Sequence, residues 1–177
     1  MKNKGILWIA QTAIFVALLI GGQAATASFG QLVTGSWVNA MLIISVMTCG
    51  LASGLTVAAL SPVFAKLFGI GPLWSIIFFI MAANAALVLT WHLIGNMKFA
   101  NVHLVRILAL CAAAICKFLV LYIGIVQLAV PFLLNLPEPQ AAAVSALFSL
   151  PQLITASIGG AIAIAILPAI EKITTKS

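Results

Sequence analysis

Lys117 stands near the middle of a long apolar run, Val102 to Phe132, with no acidic residue in that run to pair with it. If the run crosses a bilayer, a lysine at that depth costs about 3 kcal/mol on insertion scales, so a compensating role is expected. A snorkelling side chain is the structural alternative, but from mid-depth the stem falls short of either surface. We therefore read Lys117 as a counter-charge for an acidic ligand. Asn84, within Ala82-Ala83-Asn84-Ala85-Ala86, suits either a ligand contact or a hydrogen bond between helices. Asn39, Gln127 and Gln152 add three amides, and Thr155 follows Gln152 by one turn. Trp37 and Trp74 are weaker candidates, since an interfacial tryptophan belt also explains them. These side chains bind; they do not catalyse. The chain has no nucleophile with a base, no acid/base pair, no nucleotide-binding loop and no metal-ligand spacing, so no enzyme, cofactor or metal is expected.

The medium that must position these groups follows from composition. Of 177 residues, 64% are apolar and 6% are charged. Soluble domains carry roughly a quarter charged residues, and a domain this small still exposes about a third of its chain surface. A water-soluble fold is excluded. Two acidic residues in the whole chain also argue against hydrolases built on carboxylate pairs. The formal charge of +6 comes from cations scattered one or two at a time, which does not suit nucleic acid. Cys49, Cys111 and Cys116 sit inside apolar stretches and read as small fillers.

A spanning helix needs about 20 apolar residues. Ile6–Ala27 is the first such stretch, followed by a polar break over Ser28–Ser36. Trp37–Gly69 is about 33 residues, or roughly 50 Å as one helix, too long for one crossing. Gly50, Ser53-Gly54 and Ser61-Pro62 offer places to fold it into two. Leu73–Ile94, Val102–Phe132 and Ala141–Ile170 complete six spans, the last interrupted by Pro151. Six spans with an inside N terminus place Lys2, Lys4, Lys98, Arg106, Lys172 and Lys176 on the cytoplasmic face, and leave Lys66 and Glu138 outside. His92 and His103 then fall near the inner surface. The expectation is one domain, residues 1–177: an all-α six-helix transmembrane bundle with both termini cytoplasmic. Lys2, Lys4, an apolar Ile6–Ile20 and Ala25-Thr26-Ala27 imitate a signal peptide, but the segment is read as a retained first span.

Under that topology the amides and the amine lie toward the outer half, with Gln23 and Gln31 bracketing the first outer loop. This predicts a pocket open to the exterior that captures a small solute. Small residues at four-residue spacing mark close helix approaches: Ala13, Ala17 and Gly21; Gly50 and Gly54; Gly159 and Ala163. The first ridge equally suits docking of another membrane subunit.

At these residues the chain resembles the substrate-binding S components of energy-coupling factor (ECF) vitamin transporters, over nearly its whole length. Ala13-Ile-Phe-Val-Ala17 looks like the family's first-helix Ala-x-x-x-Ala motif, and Gly35-Ser-Trp-Val-Asn-Ala-Met-Leu resembles its second-helix entry. Leu60-Ser-Pro-Val-Phe-Ala with Phe68-Gly-Ile-Gly-Pro is similar to the third helix and its exit turn, and Ser149–Gly160 to the start of the sixth. One clear Ala-x-x-x-Ala pair is present. The resemblance implies a binding subunit for a vitamin or related micronutrient in a bacterial plasma membrane. It would work with a transmembrane coupling subunit, contacted through Ala13 and Ala17, and two ATPases. Ligand would bind in the outer half between helices four to six, and toppling of the loaded subunit would release it inside. A self-sufficient secondary carrier and a non-catalytic assembly subunit are the alternatives.

Overall fold

The structure is a computed structural model that describes residues 2–97 and 101–174. It is helical: α1 (Lys2–Thr26), α2 (Gln31–Cys49), α3 (Leu51–Leu67), α4 (Trp74–Gly95), α5 (Val102–Leu121), α6 (Glu138–Leu147) and α7 (Leu150–Thr174). Beyond Leu121 the fifth helix runs on through a π-helical stretch, Tyr122–Ala129, and a last turn, Val130–Phe132. Pro131 has no N–H and its ring excludes the carbonyl four residues back, so turns widen rather than break. The Val130 N–H accordingly reaches back five residues, to the Ile125 carbonyl. Five segments are long and apolar enough to cross a membrane: Gly5–Phe29, Gln31–Cys49, Trp74–Gly95, Val102–Phe132 and Glu138–Ile170. The protein is a multi-pass membrane bundle. The remaining apolar helix, α3, has 17 residues and is shorter than these five.

Several boundaries differ from the sequence reading. The first polar break shrinks to a single 3-10 turn, Ala27–Phe29, and Gly30, because α2 already starts at Gln31. The Trp37–Gly69 stretch folds back at Gly50, whose φ of +84° lets one residue end α2 and begin α3. Gly50 is thus a turn residue and not part of a small-residue ridge. Ser61-Pro62 does not break α3, which runs through both. Pro151 does not interrupt the last span either. The break lies at Phe148-Ser149, and Pro151 sits in the first turn of α7, where a missing N–H costs nothing. Arg106, expected among the loop cations, is buried within α5. Lys98 and Lys176 lie outside the described residues, as do the side chains of Lys2, Lys4 and Glu171.

Side-chain size is distributed as a lipid-facing bundle requires. Large apolar residues such as Ile9, Phe78, Ile107, Ile115, Ile123 and Phe132 are exposed, while the interior is rich in alanine: Ala40, Ala58, Ala83, Ala109, Ala113 and Ala163. In lipid, apolar contact alone does not drive helices together, so close backbone approach and hydrogen bonds must do it. One such bond links α1 to α3, between Thr12 Oγ1 and Ser53 Oγ at 2.8 Å. The two-sided apolar core of the lower half centres on Trp91, Leu42, Leu87 and Leu167.

The tightest seam joins α2 to α7. A Cβ on Gly159 would stand 2.6 Å from both the Asn39 Cβ and the Ser36 carbonyl oxygen, and one on Gly35 would stand 2.9 Å from the Thr155 methyl. Glycine at these two points is what allows Asn39 and Thr155 to face each other across the seam. Gly54 plays a similar part between α2, α3 and α4, where a Cβ would lie 2.7 Å from the Val46 Cβ. Gly159→Val is expected to lower stability by about 1–3 kcal/mol, the usual cost of overpacking. Thermal unfolding in detergent checks this, with Gly21→Val as the control: a Cβ there meets nothing within 4 Å.

Candidate functional site

Three helices deliver one polar cluster. Lys117 Nζ donates to Asn39 Oδ1 at 2.6 Å and to Asn84 Oδ1 at 2.7 Å, so α5, α2 and α4 meet at a single nitrogen. All three side chains are buried, and among the described residues Lys117 makes no ion pair. Both amides turn their oxygens toward the lysine, whose nitrogen is the donor in each bond. That orientation has a consequence for each amide. Asn39 aims Nδ2 at Thr155 Oγ1, 3.4 Å away, and Thr155 in turn donates to the Gln152 carbonyl at 3.1 Å. Among the described residues the Asn84 Nδ2 group has no hydrogen-bond partner.

The cluster forms the floor of a cavity of about 320 Å³. Its upper walls come from three places where helices end: Ala27 and Gly30 after α1, Ile70-Gly71-Pro72 after α3, and Leu147-Phe148 before α7. With helices alternating in direction, these three connections share one end of the bundle, while the start of α1, the Gly50 turn, the end of α4, the start of α5 and the end of α7 share the other. Lys117 lies 15 residues into its helix, roughly 22 Å from the far end. The cavity therefore reaches from one membrane face to about mid-depth. Amide and hydroxyl groups line it at several levels: Gln23, Gln31 and Thr34 near the mouth, then Gln152, with Ser61, Asn39 and Asn84 also on its wall.

The structure brings together four of the seven ligand-facing candidates and separates three. Lys117, Asn39, Asn84 and Gln152 line the cavity. Gln152 donates from Nε2 to the Leu147 carbonyl at 3.0 Å, which closes the α6–α7 break and leaves its Oε1 free to accept. Gln127 does not line it. Its side chain is exposed and donates to the Tyr122 hydroxyl at 3.0 Å, while the Tyr122 ring stacks on Phe118. Trp37 is not a wall residue either. Its ring fills the gap over Gly22, and Nε1 points at the Leu18 and Leu19 carbonyls, each 3.3 Å away, fastening α2 to α1. Trp74 is exposed at the start of α4, in keeping with an interfacial position. His92 and His103 stay at helix ends, where His92 bonds Asn96 and the His103 N–H is capped by Asn101. The three cysteines are free.

One wall residue escaped the sequence reading. Ser61 is 2% exposed, and its Oγ has no hydrogen-bond partner in the protein. Serine in an apolar helix ordinarily bonds back to the carbonyl a turn earlier, as Ser36, Ser149 and Ser157 do here. The signal available in the sequence was the Ser-Pro pair, read as a helix break and as part of a third-helix pattern but not as cavity wall.

No protein-family model matches the chain, and neither a curated protein nor a solved structure matches it. The reading of the site therefore rests on its own geometry and on the motifs quoted above.

The two amide oxygens are what make a buried Lys117 tolerable. Asn84→Leu is expected to destabilise the protein by about 1–3 kcal/mol, the cost of a buried donor left without a partner. Adding Lys117→Met to that variant should recover most of the loss, because the group that suffered is then gone. Paired thermal melts of the single and double variants in detergent measure the coupling.

Proposed function

We propose that the protein is the membrane-embedded binding subunit of a solute uptake system, of the S-component type, in a bacterial plasma membrane. Its solute is a vitamin or related micronutrient of anionic character. The observation that carries this reading is a buried lysine, fixed by two asparagines, at the floor of a cavity that opens at one end of the bundle. A volume of 320 Å³ lies at the lower end of the range typical of small-molecule pockets. Its mixture of apolar wall and a few convergent polar groups is also typical of them. The opening is at the end opposite both termini, so inside termini make it an exterior binding site.

In this reading the chain binds and does not pump. The ATPases and the coupling subunit are separate chains, and the coupling subunit docks on α1. The first helix is the least buried of the long spans, and Ala13 and Ala17 are exposed on it. They line a shallow apolar groove shared with Leu60, Phe64 and Phe68 of the α3 end. Small residues on an outward face leave room for a partner helix to approach closely.

Two measurements test the two halves of the proposal. Protein purified from its native membrane is expected to carry a small anionic molecule identifiable by mass spectrometry, and Lys117→Met should weaken its rebinding at least tenfold without unfolding the protein. Ala13→Trp combined with Ala17→Trp should spare that binding and abolish co-purification with the coupling subunit. Uptake by the chain alone in proteoliposomes would instead identify a self-sufficient carrier.

A further inference from the structure

Deep in one cavity, Lys117, Asn84 and Ser61 keep hydrogen-bond donors that bonds among the described residues do not use. Lys117 Nζ, protonated opposite an anionic solute, carries three N–H groups and uses two on Asn39 and Asn84. The Asn84 Nδ2 group is held in place by its own oxygen's bond to Lys117 and makes none. The Ser61 hydroxyl, buried on the facing helix α3, makes none. Burying a polar group without a partner costs free energy, and here the three side chains, from three helices, line one hollow. Lys117 is the single ionisable residue among the wall residues, which otherwise offer amides, hydroxyls and an apolar surface of Val38, Pro62, Ile80, Leu121 and Phe148.

From this arrangement we propose that the site takes a solute with one carboxylate, anchored deep in the cavity between Lys117, Asn84 and Ser61, and with a compact apolar body above it. This deepens the solute-binding reading and rests on it. Two oxygens with about four lone-pair sites match three convergent donors. Charge decides between carboxylate and phosphate. A phosphate monoester carries about −1.5 to −2 at neutral pH, and at mid-membrane depth a charge beyond the first would have no counterpart. A carboxylate's single charge is cancelled by the single cation. The body must be small: 320 Å³ is about ten water volumes.

The experiment compares three probes that share one body and differ in the head group: 3-phenylpropionate, 3-phenylpropionamide and phenethyl phosphate. Each is titrated at millimolar concentration against the full-length protein in detergent, with the thermal midpoint as readout. The carboxylate is expected to raise the midpoint, and the other two to leave it unchanged. Lys117→Met should abolish the response. Ser61→Ala, a mild change in an exactly fitting helix position, should raise the half-saturating concentration about fivefold, as loss of one hydrogen bond does. Asn84→Asp supplies a resident carboxylate to Lys117 and should abolish the response in a protein that still folds. Equal stabilisation by the amide, or stronger stabilisation by the phosphate, overturns the carboxylate assignment and leaves a solute site standing. No stabilisation by any of the three overturns the assignment and the solute site together.

Discussion

A lysine amine inside a hydrocarbon slab must be solvated by the protein, and nearly every other feature of this bundle follows from how that is done. Lys117 finds its solvation in two amide oxygens from two other helices, at 2.6 and 2.7 Å. Neither amide is free to be placed independently. Asn39 lies where Gly159 lets α7 press against the backbone of α2, and Asn84 lies beside the buried Ala83 on α4. A carboxylate partner would have neutralised the charge outright. Two neutral amides hold the lysine in place and bring no charge to cancel its own, which is the physical basis of the binding role proposed above.

The contrast between the two halves of the molecule has the same origin. Below the lysine the helices close on Trp91 and its apolar neighbours. Above it, three breaks in the helices converge, and irregular backbone at membrane depth is tolerable where it lines a hollow. Gly30, Gly71 and Phe148 belong to those breaks and to the cavity wall. The described bundle thus has one half with a hollow and one half filled by a packed apolar core.

The sequence and the structure agree best where lipid leaves little choice. Apolar runs of about 20 residues must become helices, because a bilayer offers backbone groups no other partner. Gly50 was readable as a folding point for the same reason, since only a residue at ease with positive φ can turn that sharply. The prolines were less readable. Pro62 and Pro151 sit within helices, one at an interior position accepted by its neighbours and one in a first turn. Which of these a proline will do depends on where the previous helix ends, a matter of packing at Phe148-Ser149 and not of local propensity.

The presence of a buried cation and of intramembrane amides is written in residue type alone, because the cost of placing them in hydrocarbon is set by their chemistry and not by their neighbours. Which amides meet the cation is not. On a regular helix Gln127 would lie about 80° around the axis from Lys117, near enough to share its face. The π-helical turns before Pro131 advance by a smaller angle per residue, and the accumulated lag carries Gln127 to the outside. Trp37 was drawn off by the gap at Gly22, and Ser61 was brought in by the face that α3 happens to present. Composition and spacing name the groups that need partners. Pairing them requires the rotation and depth of each helix, which only the packed bundle supplies.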